Sequence, residues 1–311
     1  MNKIKIGAVL PTAMEELTDP RTPGVAEAAR AVEEHGLESL WVADLVLGEG
    51  TPALEPTLAL AGAATVTNRV QLGFGVLSVP PRPLVWLASQ VATLQHLSQN
   101  RLLLGVGVGG FPEAPLWKAM RASARERGRT TDAALELLPA LVSGEQVHLA
   151  ETGVDFQLAP PAPMPPVVVG GSERAFERVL RTGAEWFPSN LSPSNLSPAS
   201  LRRAVERLHA MADHRGLPRP PVTVGGHLIL GQSQAARHAY DALVQSLVEH
   251  HGASPEEAAA APLRARDPEE LAEVYTAYTE AGADRIVAGA DAMGWHEQLD
   301  FIAQAHALLP G

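Results

Sequence analysis

Hydrophobic positions along this chain fall into two alternating kinds of run. Short, continuously apolar stretches such as LLLGVGV (102–108) and PVVVG (166–170) are separated by longer stretches in which apolar residues return every three or four positions. The first kind predicts strands buried on both faces, and the second predicts amphipathic helices. Strands are expected at 4–10, 39–43, 70–76, 102–108, 166–169, 185–187, 222–230 and 285–288. Helices are expected between them, among others at 25–35, 83–97, 131–143, 173–182, 201–214 and 268–281, with a last one at 295–309. Strand and helix in strict alternation imply parallel pairing, and a set of eight implies an α/β fold closed as a (β/α)8 TIM barrel. One such domain accounts for residues 1–311.

Three stretches interrupt the rhythm, and they predict insertions after strands 4, 6 and 7. Residues 144–165 carry a mixed segment, VHLAETGVDFQL, and then APPAPMPP, which together read as a small hairpin and a stiff approach to the fifth strand. The tandem pentapeptide SNLSPSNLSP (189–198) follows the sixth strand on the face where barrel enzymes carry substrate loops. Residues 240–261, rich in Ala, Glu and His, read as an exposed helical insertion before the eighth strand.

Composition narrows the partners. The formal charge is −11 with no block of like charge, which argues against nucleic acid and anionic membrane and leaves a small molecule. With no cysteine, disulfides, thiolate metal sites and a thiol nucleophile are excluded. The opening residues MNKIKIGAVL read as a first strand and not as an export signal, and no apolar run approaches a membrane span, so a cytoplasmic location is expected. No His or carboxylate grouping has metal-ligand spacing, and no metal is expected.

Candidate chemistry gathers where strands end. Glycines close the third strand (Gly75, followed by Val76) and crowd the fourth (Gly105, Gly107, Gly109, Gly110). Glycine at such places marks either a close ligand or relief of crowding inside the barrel; for Gly75 and Gly109 the ligand is the expectation, whereas Gly105 and Gly107 are open to both readings. The fifth strand runs into Gly170, Gly171 and Ser172 and then a helix, an arrangement that can offer backbone N–H groups to an anion. Asp44, at the end of the second strand, is either a polar group near a ligand or a structural hydrogen-bond acceptor. Arg82 either meets an anionic tail or starts a helix. Trp186 and Ser189 border the loop after the sixth strand. His227 lies on a strand as a buried or an active-face residue, while His250 and His251 fall on the exposed insertion.

The segments GLESLWVAD (36–44), 70–110 and PVVVGGSERAFERVLRTGAEW (166–186) resemble the luciferase-like monooxygenase superfamily. The resemblance implies a flavin- or deazaflavin-dependent oxidoreductase that uses reduced FMN or F420 on a small organic substrate, usually as a homodimer. It places the cofactor phosphate at Gly170, Gly171 and Ser172, and the ring against Gly75, Val76, Gly107 and Gly109. It also implies a non-prolyl cis bond at Gly75-Val76, as in F420-using members. Two departures stand out: Leu45 replaces the His that often follows the Asp, and Gly110 replaces the Glu of the sugar-phosphate dehydrogenase branch. Asp44 is then the remaining catalytic candidate. The alternative is a catalytically impaired barrel that binds a flavin or other ligand without turnover.

Overall fold

Strands β1 (Lys5–Val9), β2 (Ser39–Val42), β3 (Gln71–Phe74), β4 (Leu77–Ser78), β5 (Leu102–Gly107), β6 (Gln146–Leu149), β7 (Val154–Gln157), β8 (Val167–Gly170), β9 (Glu185–Phe187), β10 (Thr223–Leu230), β11 (Leu263–Ala265) and β12 (Arg285–Asp291) follow one another in a computed structural model of the chain. The structure describes residues 4–48, 52–110, 112–150, 152–188, 197–251, 254–260, 263–291 and 293–309. Nine of the strands pair in parallel around an eight-position barrel, in the order β10, β12, β1, β2, then β3 and β4 sharing one position, β5, β8 and β9. A bridge from Trp186 to Val222 joins β9 to the foot of β10. The upper half of that edge of β10 is taken by β11, which pairs Leu228 with Leu263. The sixth and seventh barrel strands are thus held at their lower ends and parted above.

Each predicted barrel strand lies within two residues of its expected start, because a strand buried on both faces needs an uninterrupted apolar run. The hairpin β6–β7 pairs antiparallel between the fourth and fifth barrel strands. Helix Pro56–Ala64 was not among the predicted elements. Its sequence PTLALAGAA is apolar nearly all round and has no polar stripe to give it a period, and it packs between the helices Val25–Glu34 and Leu84–Ser98. The insertion at 240–261 forms the last part of helix Gln234–His251 and then helix Pro255–Ala260.

Inside the barrel, one side chain sets the packing. The Trp41 indole is 1% exposed and donates through Nε1 to Ser39 Oγ at 2.8 Å. A Cβ at Gly73 would lie 2.3 Å from that ring, and one at Gly7 would lie 2.7 Å from its nitrogen, so both strands need glycine there. Trp41 packs with Leu103, Val168, Phe187 and Val287 as an inner apolar cluster, and Phe187 meets it edge to face at 5.8 Å.

The lower mouth is filled by charge. Arg285, 3% exposed, donates to Glu185 (2.8 and 2.9 Å), Glu38 (3.1 and 3.2 Å), Thr223 Oγ1 (3.1 Å) and Gln71 (3.3 Å). The Thr223 hydroxyl donates to Glu185. Burial pushes the Glu185 carboxyl above its usual range, and Arg285 holds it only part of the way back.

Candidate active site

The upper mouth holds a cleft of about 970 Å³, floored by Val9, Ala43, Gly75, Phe187 and Val287 at the ends of the strands. Active sites of closed α/β barrels sit at this end, on the loops that follow the strands. The floor is apolar and rests on Trp41.

A bulge shapes one wall. Gly73 pairs with Leu103, but Leu77 pairs with Val106, so four steps along the third strand match three along the fourth. The extra residue belongs to the Gly75-Val76 peptide, which is cis, as the resemblance implied. Gly75 faces the cleft, whereas the Val76 side chain turns back between the neighbouring strands. A Cβ at Gly107 would come within 2.8 Å of Val76 Cγ2, and one at Gly170 within 2.9 Å of it. These two glycines make room for valine, which accounts for their identity without a ligand. At Gly105 a Cβ would fall 1.7 Å from the Phe74 carbonyl oxygen, so crowding explains that glycine as well.

Gly109 has φ +78°, and a Cβ there would sit 2.9 Å from the ring of Trp117. Trp117 lies on the short helix Leu116–Ala119 and is buried against the end of β5. Nothing in the sequence pattern marked it.

The turn after β8 is pinned from both faces of β9. Gly171, with φ +134°, donates its N–H to the Phe187 carbonyl at 3.0 Å, and its own carbonyl accepts from Trp186 Nε1 at 2.9 Å. The Gly171 N–H, expected to face an anion, is therefore already spent. Gly170 is a strand residue in register with Phe187. Ser172 stands just before the 3-10 turn Glu173–Ala175 without a side-chain capping bond, that turn leads into helix Phe176–Thr182, and the first N–H groups of such a run have no partner within it. Space is open beside it: a Cβ at Gly171 would meet only Ala175, at 3.5 Å.

Trp186, expected beside the substrate loop, is fully buried on the outer face of β9 and packs edge to face on Phe176 at 4.9 Å. Phe187 is the residue that enters the barrel and lines the cleft. In a strand of three residues, neighbours point to opposite sides, and Glu185 already faces inward toward Arg285, so the alternation assigns Phe187 to the interior. Ser189 lies outside the described residues, as do the side chains of His227, His250 and His251 and most of the tandem pentapeptide.

Asp44 takes the structural alternative. Its Oδ2 accepts from Ser78 N at 2.9 Å and from Arg82 Nη1 at 2.6 Å, and Arg82 Nη1 also donates to the Ser78 carbonyl at 2.7 Å. Both side chains are buried, Asp44 at 1% and Arg82 at 6% exposure, and Arg82 Nη2 stands 3.6 Å from Glu55. Asp44 thus fastens the segment just past the bulge, while its Oδ1 is buried without a hydrogen-bond partner. Among the described residues no group of three His, Asp or Glu side chains could hold a metal ion. Among them, too, no helix is long and apolar enough to cross a membrane.

The described cleft thus offers an apolar floor at Gly75 and Phe187, and the turn at Ser172 leaves space for a Cβ at Gly171. Comparison with known proteins gives the family. The family model described as luciferase-like monooxygenase matches residues 4–307. The 4-hydroxyprotoasukamycin monooxygenase of Streptomyces nodosus subsp. asukaensis is 32% identical over 152 residues, 47% of this chain and 39% of that protein. The F420-dependent glucose-6-phosphate dehydrogenase of Nakamurella multipartita is 33% identical over 175 residues, 52% of this chain and 50% of that one. The chain thus spans half or less of the length of these curated relatives. In fold, the oxygenating constituent of 3,6-diketocamphane monooxygenase from Pseudomonas putida, solved with FMN, superposes with a TM-score of 0.74 over 99% of both chains at 18% identity.

Proposed function

Because the chain belongs to the luciferase-like monooxygenase family, we propose that it is an oxidoreductase that binds reduced FMN or F420 at the upper mouth and acts on a small organic substrate in the cleft. The observation that carries this reading is the bulge at Gly75-Val76, set beside Phe187 over an apolar floor and facing a cleft of about 970 Å³. When bound, the reduced cofactor supplies the electrons, passing them to the substrate or to oxygen.

The chain's own residues supply place and dryness. Gly75, Val76 and Phe187 bed the ring. Trp41, Leu103 and Val168 beneath them exclude water from its lower side. Ser172 offers a hydroxyl and an amide to the phosphate, on a turn that Trp186 and Phe187 hold still. Asp44 holds the bulge through Ser78 and Arg82, which supports the structural role for it. Trp117 closes the side of the fourth strand. On this proposal the barrel works as a single domain and, as the sequence resemblance implied, as a homodimer.

Titration of the purified chain with FMN and with F420, followed by absorbance and fluorescence, tests the proposal. Binding tighter than about 100 μM, roughly −5.5 kcal/mol, is expected for at least one of them. Absence of both overturns the reading, and binding without turnover in reductive and oxygenating assays turns it into that of a binding barrel. Gly171→Asp, which adds bulk and negative charge at the phosphate turn in a left-handed backbone region, is expected to abolish the binding while the far-ultraviolet spectrum is kept.

A further inference from the structure

The helices Pro56–Ala64 and Leu84–Ser98 differ from their neighbours in the outer ring. Their nine and fifteen residues include no Asp, Glu, Lys or Arg. They pack on each other, and the helices on either side are of the ordinary kind: Val25–Glu34 carries Glu27, Arg30, Glu33 and Glu34, and Arg127–Val142 carries Arg127, Arg129, Asp132 and Glu136. A helix that is apolar all round belongs in an interior. These two are covered on the barrel side only.

Their outer side is bare at large apolar positions. Leu58 is 73% exposed, and Gly62 stands one turn further along the same face. Trp86 is 63% exposed on the first turn of the other helix, with Thr93 and Leu97 following it at helical spacing. Gly62 is a second, independent sign. Glycine inside a helix weakens it relative to alanine, yet a Cβ at Gly62 would meet nothing within 4 Å. Among the described residues nothing requires that position to be small, whereas a helix brought close from outside does.

We infer that this face is where a second copy of the chain docks about a two-fold axis, covering Trp86 and Leu58, with Gly62 admitting the partner's helix. A two-fold axis sets a face against itself, so a charge near the axis meets its own copy. The chain carries a formal charge of −11, so two copies repel at long range, and the helices of this face bring no charge of their own to the contact. A partner of different sequence would find no charged side chain on them to pair with. Neither helix is long enough to span a membrane. The inference names the contact for the homodimer proposed above and rests on that part of the reading; it is independent of the cofactor.

The test is the mass of the full chain at micromolar concentration, by sedimentation velocity. Wild type is expected at twice the mass of one chain. Trp86→Gln is expected to raise the dissociation constant of the dimer by about thirtyfold or more, as loss of a buried tryptophan anchor does. Gly62→Gln puts a better helix former where the chain itself leaves space, so the far-ultraviolet spectrum is kept while the dimer is lost. Val154→Gln, at another exposed apolar position on the hairpin β6–β7, leaves the dimer intact. A dimer that persists in Trp86→Gln or Gly62→Gln, or one that is lost in Val154→Gln, overturns the inference and leaves the homodimer standing. A wild type that stays monomeric, whether or not it binds vesicles of neutral phospholipid, overturns both. Titration with FMN and F420 reads the proposed enzyme separately.

Discussion

At the lower end of the barrel the Arg285 guanidinium is bonded to Glu185, Glu38, Thr223 and Gln71, whereas at the upper end the Asp44 carboxylate reaches Ser78 and Arg82 and leaves one buried oxygen unmatched. Both ends bury an arginine and an acid. The lower network closes on itself and seals the interior, as a stability element should. The upper pair leaves one carboxylate oxygen buried and unmatched, behind a cleft lined by its neighbours Ala43 and Leu45.

The sharpest way to break this contrast is at Arg285. Arg285→Met leaves the mostly buried Glu185 and the partly buried Glu38 without their shared cation and is expected to cost about 3–5 kcal/mol in urea unfolding. A loss below about 1 kcal/mol would mean that the lower network is not what holds that end shut. Asp44→Asn is the matching change above. It weakens the hold on Arg82 and Ser78, with an expected cost of about 1.5–3 kcal/mol and a loosened ring bed, read as weaker FMN or F420 binding. If stability falls while cofactor affinity stays unchanged, Asp44 supports only the fold.

Glu33 offers a smaller effect with a pH signature. Burial raises its carboxyl, but the N–H groups of Val70, Arg69 and Asn68 outweigh this and hold it below the usual range. A lowered acid contributes stability above its unfolded pKa and loses it as pH falls through the folded one. Wild type should therefore exceed Glu33→Gln by about 1 kcal/mol at neutral pH, and the two should converge as pH drops below about 4. Parallel curves would rule out the linkage. The smallest expected change is Trp186→Phe, which removes the bond to Gly171 and should weaken cofactor binding by about twofold to threefold, roughly 0.5 kcal/mol, in the same titration. Unchanged affinity would show that the Phe187 contact alone fixes the turn.

Much of the fold was legible because burial on both faces writes itself as unbroken apolar runs. What stayed hidden has particular causes. Pro56–Ala64 is apolar nearly all round, even at its exposed Leu58, and so has no polar period, and β11 is three residues long. The bulge at Gly75-Val76 could be expected from the family resemblance, yet the glycines around it were open to two readings, since a glycine that admits a ligand and one that admits Val76 look the same in one dimension. Trp186 and Phe187 differ by a single position, and strand pleating exchanges their faces. The alternation from Glu185 held that answer, but only once its buried partner Arg285, 100 residues away, was known. Asp44 and Arg82 are likewise joined across 38 residues, a pairing no local pattern contains.

The double grip on Gly171 has a consequence for how this scaffold can change. Adjacent residues of β9 clasp the same glycine, one through a ring nitrogen and the other through a carbonyl, and the tandem pentapeptide begins two positions after Phe187. A repeat added to or removed from the sequence after Phe187 leaves both bonds to Gly171 in place, so changes of length there are expected to spare the turn after β8.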